Sequence, residues 1–458
     1  MRTLPPPVDL LGLIGNTPMV KVSRLDTGPC ELFLKLENQN PGGSIKDRIG
    51  LSMISAAEKA GQLGPHQMHL VEATAGNTGL GLALVAAQKG YRLTLVIPDK
   101  MSQEKVLHLK ALGAEVVMTR SDVEKGHPQY YQDMAERVAK ELGGFYVNQF
   151  ANPANPLAHE TATGPEIAAQ MDNRLDAMVC GVGSGGTMAG LSRYFARAIP
   201  GCEMVLADPQ GSVLVDYVNT GKMGKAGSWV VEGIGEDFMP PVADLSRVKK
   251  AYSIPDAESL ETARLLLKQE GILGGSSSGT LLAAALRYCR EQTTPKRVCT
   301  LVCDSGNKYL SKMFNDFWMA DQGFLPRQAH GDLRDVITRH YAEKAVVTLS
   351  PADTLLVAYG RLKLYDVSQL PVLEGNKVVG MIDESDLLLA AIDDPTRLRL
   401  PVRDFMSTRL QTVDVRTPVR ELLTFLDKGF VPIVMDGDEF VGLITHIDLL
   451  NHLRRKLR

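Results

Sequence analysis

The sequence predicts an α/β protein with a mostly parallel sheet, followed by a smaller α+β pair. Three observations carry this. Between residues 10 and 320, apolar β-branched runs alternate with helical patterns, the rhythm of strand–helix–strand units. That rhythm stops at "MADQGFLPRQAHGD", a polar stretch punctuated by Gly and Pro, and 321–334 reads as a linker. Beyond it one pattern occurs twice, over 335–394 and 395–458, and two copies this short are expected to bury their apolar faces against each other.

Within the first part, 1–320, the predicted strands are 68–74, 92–98, 114–119, 177–183, 203–209 and 297–304. Helical patterns between them include "GLALVAAQKG", "EKVLHLKALG", "YYQDMAERVAKELGG", "LSRYFARAIPG" and "LETARLLLKQEG". Several end in Gly, the usual residue just past a helix. At this length the strands fit one sheet or two, with ligands beyond their C-terminal ends. Each repeat reads as a short strand, a Pro-started helix, a two-strand hairpin and a final helix.

The 458 residues are 44% hydrophobic and 22% charged, with net charge −3, so no general attraction to nucleic acid or anionic membrane is expected. No apolar run approaches the roughly 20 residues that span a bilayer, and no secretory leader is read at the start. The six cysteines form no CxxC pair and no metal spacing. Most lie in apolar runs, which fits a reducing cytosol, so a cytoplasmic protein without a metal site is expected.

Four stretches carry chemistry. "NPGGSIKDR" sets Lys46 after a Gly-Gly-Ser turn; a lone lysine is usually a solvated charge. "VGSGGTMAG" joins a strand to a helix, where glycines and free N–H groups suit a single phosphate, or simply make a tight turn. It lacks GK[ST] and is not a dinucleotide fingerprint. "EATAGNTGLGLAL" brings Thr74, Asn77 and Thr78 to another strand end, as ligand donors or as helix caps. "GGSSSGT" is a third such turn. Pyridoxal 5′-phosphate, a phosphate-bearing aldehyde that joins a lysine, would use all four.

In this order "PGGSIKDR", "TAGNTG", "GSGGT" and "GGSSSGT" resemble the fold type II, tryptophan synthase β-like pyridoxal-phosphate β-replacement enzymes, cystathionine β-synthase and cysteine synthase. "NPLAHE", "VVEGIGEDFMP" and "CDSGNKYLSKMFNDFW" lean towards the former. The repeats resemble its paired regulatory domains (a Bateman module). The resemblance implies that Lys46 is the Schiff-base lysine and the base, and that Asn77 bonds the cofactor's 3′-oxygen. Gly183, Ser184, Gly185, Gly186 and Thr187 would hold the phosphate, and Ser276 would face the pyridine nitrogen. Thr74, Ala75, Gly76 and Thr78 would receive the substrate carboxylate, with Gln149 near it and Gly233 and Gly235 at the mouth. The implied reaction joins L-serine to L-homocysteine, giving L-cystathionine. Cysteine synthesis from O-acetylserine and sulfide is the alternative, and a non-catalytic adenosine-ligand sensor a further one. A homodimer or larger assembly is implied.

Two positions depart from the pattern: Ala75 where serine is usual, and Glu236 where the animal enzymes often have tyrosine. Little sequence precedes the motifs, so no haem is expected. For the repeats, the resemblance implies an adenosyl ligand held through G-h-h-T-x-x-D (h, apolar). The second copy carries this as Gly442, Thr445 and Asp448. The first has Gly380 and Asp386 but Asp383 in place of threonine.

Overall fold

The computed structural model describes residues 8–74, 76–99, 101, 103–123, 126–326 and 329–455. The chain divides into two compact units, Met1–Phe314 and Asn315–Arg458.

The first unit contains ten strands: β1 (Met19–Lys21), β2 (Glu31–Lys35), β3 (His69–Ala73), β4 (Arg92–Pro98), β5 (Glu115–Thr119), β6 (Phe145–Tyr146), β7 (Ala177–Cys180), β8 (Glu203–Pro209), β9 (Val248–Ile254) and β10 (Arg297–Leu301). All six predicted strands form, and β1, β2, β6 and β9 join them. They make two sheets. One runs β1-β2-β10-β7-β8-β9 and is parallel except for the antiparallel β1–β2 pair. The other, β5-β4-β3-β6, is wholly parallel.

Burial explains the sequence pattern. All residues of β3 and β7 are buried, as expected where helices cover both faces of a parallel sheet. Leu32, Leu34, Met178, Val179, Val298 and Cys299 join one large core. Five of the six cysteines are buried and all six are free thiols. The motifs at 72–84 and 182–190 follow the C-terminal ends of β3 and β7, where an α/β fold places its ligand; the lysine motif follows β2, and 274–280 opens the helix before β10.

The second unit holds a hairpin of β11 (Gln369–Glu374) and β12 (Lys377–Asp383), and a sheet of β13 (Thr412–Asp414), β14 (Ile433–Asp436) and β15 (Glu439–Leu443). Leu373 and Val378 of the first copy pack with Ile433 and Phe440 of the second. The copies differ at their openings. The first copy's expected strand shrinks to one bridge between Leu349 and Val372. Its helix starts at Leu355 with Thr354 as cap, because a Ser350–Asp353 turn occupies Pro351. In the second copy Pro418 directly precedes the first helical turn. Leu333, at the end of the stretch read as linker, is fully buried. It packs with Val413, Val434 and Ile444, and its N–H donates to the Val415 carbonyl at 2.8 Å.

Candidate active site

Lys46 is the first residue of the helix Lys46–Lys59. This helix meets the helix Asn77–Lys89 backbone to backbone. A Cβ on Gly81 would lie 2.6 Å from the Lys46 carbonyl oxygen, so only glycine fits and the starts of both helices come together. The Ile45 N–H donates to the Cys303 carbonyl at 2.9 Å, and Ser44 bridges to Asp304, which ties the lysine loop to the end of β10.

The residues after Lys46 secure its turn. The Asp47 carboxylate accepts from the Gly42 N–H at 2.6 Å; burial pushes its pKa up to about 6 despite that bond. Arg48 is buried between two carboxylates. It donates to both oxygens of Glu37 (2.7 and 2.8 Å) and both of Glu166 (2.7 Å each). Such a double fork fixes the guanidinium in space. Lys46 itself is half-buried. Burial holds its ammonium pKa below the ordinary value, against the pull of Cys303, Asp304 and Glu236.

Asp304 gathers three of the motifs. It accepts from the Asn77 amide at 2.8 Å and from the Tyr309 hydroxyl at 2.7 Å, and its carbonyl accepts from the Gly275 N–H at 3.0 Å. The next residue, Ser276, is buried at the start of the helix Ser276–Arg290, and its hydroxyl accepts from the Glu232 N–H at 3.0 Å. The Glu232 carboxylate is held by Lys105 at 2.6 Å and Lys312 at 2.7 Å, and Lys105 also donates to the Tyr309 hydroxyl at 3.0 Å.

The fourth motif lies beside Glu232. A Cβ on Gly183 would sit 2.4 Å from the Gly233 carbonyl oxygen, and one on Gly186 1.9 Å from the Asn155 Oδ1. Residues 183–187 thus form a cradle closed by the Gly233 backbone and the Asn155 side chain, at the start of the helix Gly186–Ala198. The first-turn N–H groups of that helix have no partner within it and carry partial positive charge. Asn155 donates to the Ser184 hydroxyl at 2.9 Å, and His159 lies 3.2 Å from the Thr187 hydroxyl. His159 stands on a π-helical turn, His159–Thr163. Burial, then the charges of Lys46 and Arg48, push its pKa well down and keep it neutral. The cradle therefore offers hydroxyls, free N–H groups and no intruding side chain, which suits a phosphate.

On the substrate side, Thr74 acts as a cap: its hydroxyl accepts from Gly76 at 3.0 Å and Gly79 at 3.2 Å. Thr78 donates to Gln149 at 2.7 Å, and Gln149 donates to the Ala73 carbonyl at 3.1 Å, so these two predicted residues do meet. Ala75 lies outside the described residues. The Gly235 N–H donates to the Val182 carbonyl at 2.8 Å and holds 233–235 against the cradle. Glu236 follows directly, its carboxylate acting on Lys46.

Thr445 and Asp448 belong to the second unit. Both line a cleft of about 560 Å³ with Arg339, Asp366, Ser368 and Gln369. Thr445 donates to Asp448 through its N–H (2.8 Å) and its hydroxyl (2.5 Å). In the first copy Asp383 and Asp386 instead cap each other's N–H groups at the start of the helix Glu384–Ala391. Among the described residues no group of His, Cys, Asp and Glu could hold a metal ion, and no helix is long and apolar enough to cross a membrane.

Asn155, His159, Lys105, Glu232, Asp304, Lys308 and Tyr309 carry much of this network, yet the motif reading assigned them no role. Most of them fall inside the three stretches that lean towards one branch of the family, "NPLAHE", "VVEGIGEDFMP" and "CDSGNKYLSKMFNDFW".

Comparison with known proteins identifies the family of each unit. The pyridoxal-phosphate dependent enzyme family matches residues 10–304, and the CBS domain matches 333–393 and 402–455. Cystathionine β-synthase of Dictyostelium discoideum is 35% identical over 98% of this chain and 92% of that protein. That of Mus musculus is 36% identical over 97% of this chain and 76% of its own length. Among solved structures, an O-acetylserine dependent cystathionine β-synthase from Helicobacter pylori is 35% identical with a TM-score of 0.60, covering 68% of this chain and 99% of that one.

Proposed function

The chain belongs to the pyridoxal-phosphate dependent enzyme family, with two CBS domains after its catalytic unit, and from that premise we propose that it acts as a cystathionine β-synthase. It condenses L-serine with L-homocysteine to L-cystathionine and water, using pyridoxal 5′-phosphate. The observation that carries the site assignment is the convergence of a desolvated lysine amine and a side-chain-free anion cradle on one hydrogen-bonded network.

When bound, the cofactor supplies an electron sink for the substrate's Cα–H bond and a covalent handle for its amine. The residues of this chain do the rest. Residues 183–187 and the helix start behind them would hold its phosphate, and Lys46 would anchor its aldehyde carbon. Burial disfavours the charged form of Lys46, so the free amine can take the Cα proton and return it later. Asn77 would donate to the ring's 3′-oxygen, and Ser276 would offer a neutral hydroxyl to the ring nitrogen. The loop around Thr74, Gly76 and Thr78, with Gln149, would receive the substrate carboxylate, the Gly76 N–H being already engaged by the Thr74 hydroxyl.

Three parallel incubations test the substrates: serine with homocysteine, O-acetylserine with homocysteine, and O-acetylserine with sulfide, with products identified by mass spectrometry. Serine and homocysteine should give L-cystathionine at the highest rate. Cysteine from O-acetylserine and sulfide, with no cystathionine from serine, would overturn the assignment. O-Acetylserine as the donor is the second reading, favoured by the Helicobacter pylori relative.

The cleft lined by Thr445 and Asp448 is the proposed site of an adenosyl ligand, S-adenosylmethionine or an adenine nucleotide, with Asp448 receiving ribose hydroxyls. Calorimetry should detect one such ligand on the wild type and about tenfold weaker binding to Asp448→Ala, the loss of roughly one hydrogen bond to a charged group. No heat and no thermal shift with any of them would sink this reading. A homo-oligomer in a reducing cytosol is the proposed setting.

A further inference from the structure

Lys308 stands on the short turn Gly306–Tyr309 and is buried. Its neighbour Tyr309 bonds Asp304 and Lys105, and the Lys308 ammonium reaches Asn77 and the turn before Lys46. It donates to the Gly42 carbonyl at 3.1 Å, the Gly43 carbonyl at 3.2 Å and the Asn77 Oδ1 at 3.0 Å. The first two acceptors belong to the turn that delivers Lys46. Gly43 has φ +74° and also accepts from the Ser305 N–H at 3.0 Å. One cation thus joins the lysine loop to the Asn77 side chain.

The chemistry of the amide gives this contact a consequence. An asparagine side chain can turn about its last bond and exchange donor for acceptor. A lysine ammonium can only donate, so it accepts only the orientation in which Oδ1 faces it. Asp304, on the opposite side, accepts from Nδ2 at 2.8 Å. Together they lock the amide, and the second N–H of Nδ2 remains to donate elsewhere.

We propose that Lys308 is a positioning residue, whose ammonium fixes the Asn77 amide with its N–H towards the cofactor's 3′-oxygen and holds it in register with the Lys46 loop. This rests on the reading of Lys46 and Asn77 as cofactor residues. The titratable neighbours of Lys308 are Lys105, Asp304, Asp47 and His108. Burial, against the pull of the two carboxylates, brings its pKa to about 8, so the donor-only ammonium that fixes the amide is lost as pH rises through that value.

The test measures the dissociation constant of pyridoxal 5′-phosphate for the apoenzyme, and the visible band of the holoenzyme, in wild type, Lys308→Met, Lys308→Gln, Asn77→Ala and the Lys308→Met/Asn77→Ala double variant. Lys308→Met should weaken cofactor binding about tenfold and shift the visible band. Lys308→Gln, which keeps a donor on a shorter chain, should lie between it and wild type. In the Asn77→Ala background, Lys308→Met should add less than about twofold. An equal loss in both backgrounds, or an unmoved band with unchanged affinity, overturns the proposal, since a merely structural lysine would act whether or not Asn77 is present. A wild type with no visible band at all would instead overturn the underlying cofactor reading, and so separates the two failures.

Discussion

Lys46→Ala is expected to fold, to lose its visible absorption and to turn over more than about a thousandfold more slowly. The reasoning starts from burial. Desolvation disfavours the ammonium at position 46, so the native fold holds a cation at some cost. Removing it leaves the helix start intact, because the contacts that place that start are made by backbone at Ile45, Lys46 and Gly81. The unfolding midpoint should therefore stay level or rise. Chemistry behaves oppositely. One side chain serves as both covalent anchor and base, and general-base catalysis alone contributes roughly 10²–10⁴-fold. A variant with unchanged absorption and turnover would remove Lys46 from the mechanism.

Arg48→Met should be the most destabilising single change near the site. Glu37 is fully buried and Glu166 partly so; both lose the Arg48 fork, and Glu166 keeps Lys35. Breaking a buried ion pair on one side typically costs about 3–5 kcal/mol. Denaturant unfolding should read a loss of that order, and a loss below about 1 kcal/mol would contradict the reading of Arg48 as the pin of the lysine loop. The pH dependence has a defined sign. Burial raises the Glu166 pKa, but the hydrogen bonds and charge of Arg48, with Lys35, override it and bring it from 4.5 to about 2. A depressed carboxylate stabilises the fold above its unfolded pKa. Wild type should therefore lose stability as pH falls from about 4.5 to about 2, and Arg48→Met should lose less over that window.

How much of this was legible depends on where each residue's signal lies. Five of the six strands read from apolar runs are buried on both faces, such as Ala177–Cys180; the sixth, β5, is a half-exposed edge strand whose Val116 and Val117 still supply the β-branched signal. Three of the four that escaped lack such a run for identifiable reasons. Strand β2 ends at Lys35, a buried lysine whose charge is answered by Glu166 at 2.7 Å and Gln170 at 2.9 Å, contacts over 130 residues away in sequence. Strand β9 carries Lys249 and Lys250, both exposed on an edge strand, where charge discourages further pairing. Strand β6 has two residues, too few for any period. The glycine turns were visible because glycine marks close approach locally. Their function was not separable from capping until the structure brought Gly183 against Gly233 and left Thr74 as a cap. Asp304 and Lys308 were quoted within a motif, yet no local pattern says that one accepts from the Asn77 amide and the other donates to it.

The central claim is that Lys46 carries the cofactor, and trapping that bond tests it most directly. Borohydride reduction of the holoenzyme, followed by proteolysis and mass spectrometry, should place the phosphopyridoxyl mass on the peptide containing Lys46 and on no other lysine. The same mass on Lys105, Lys308 or Lys312, or on no peptide, would contradict the account.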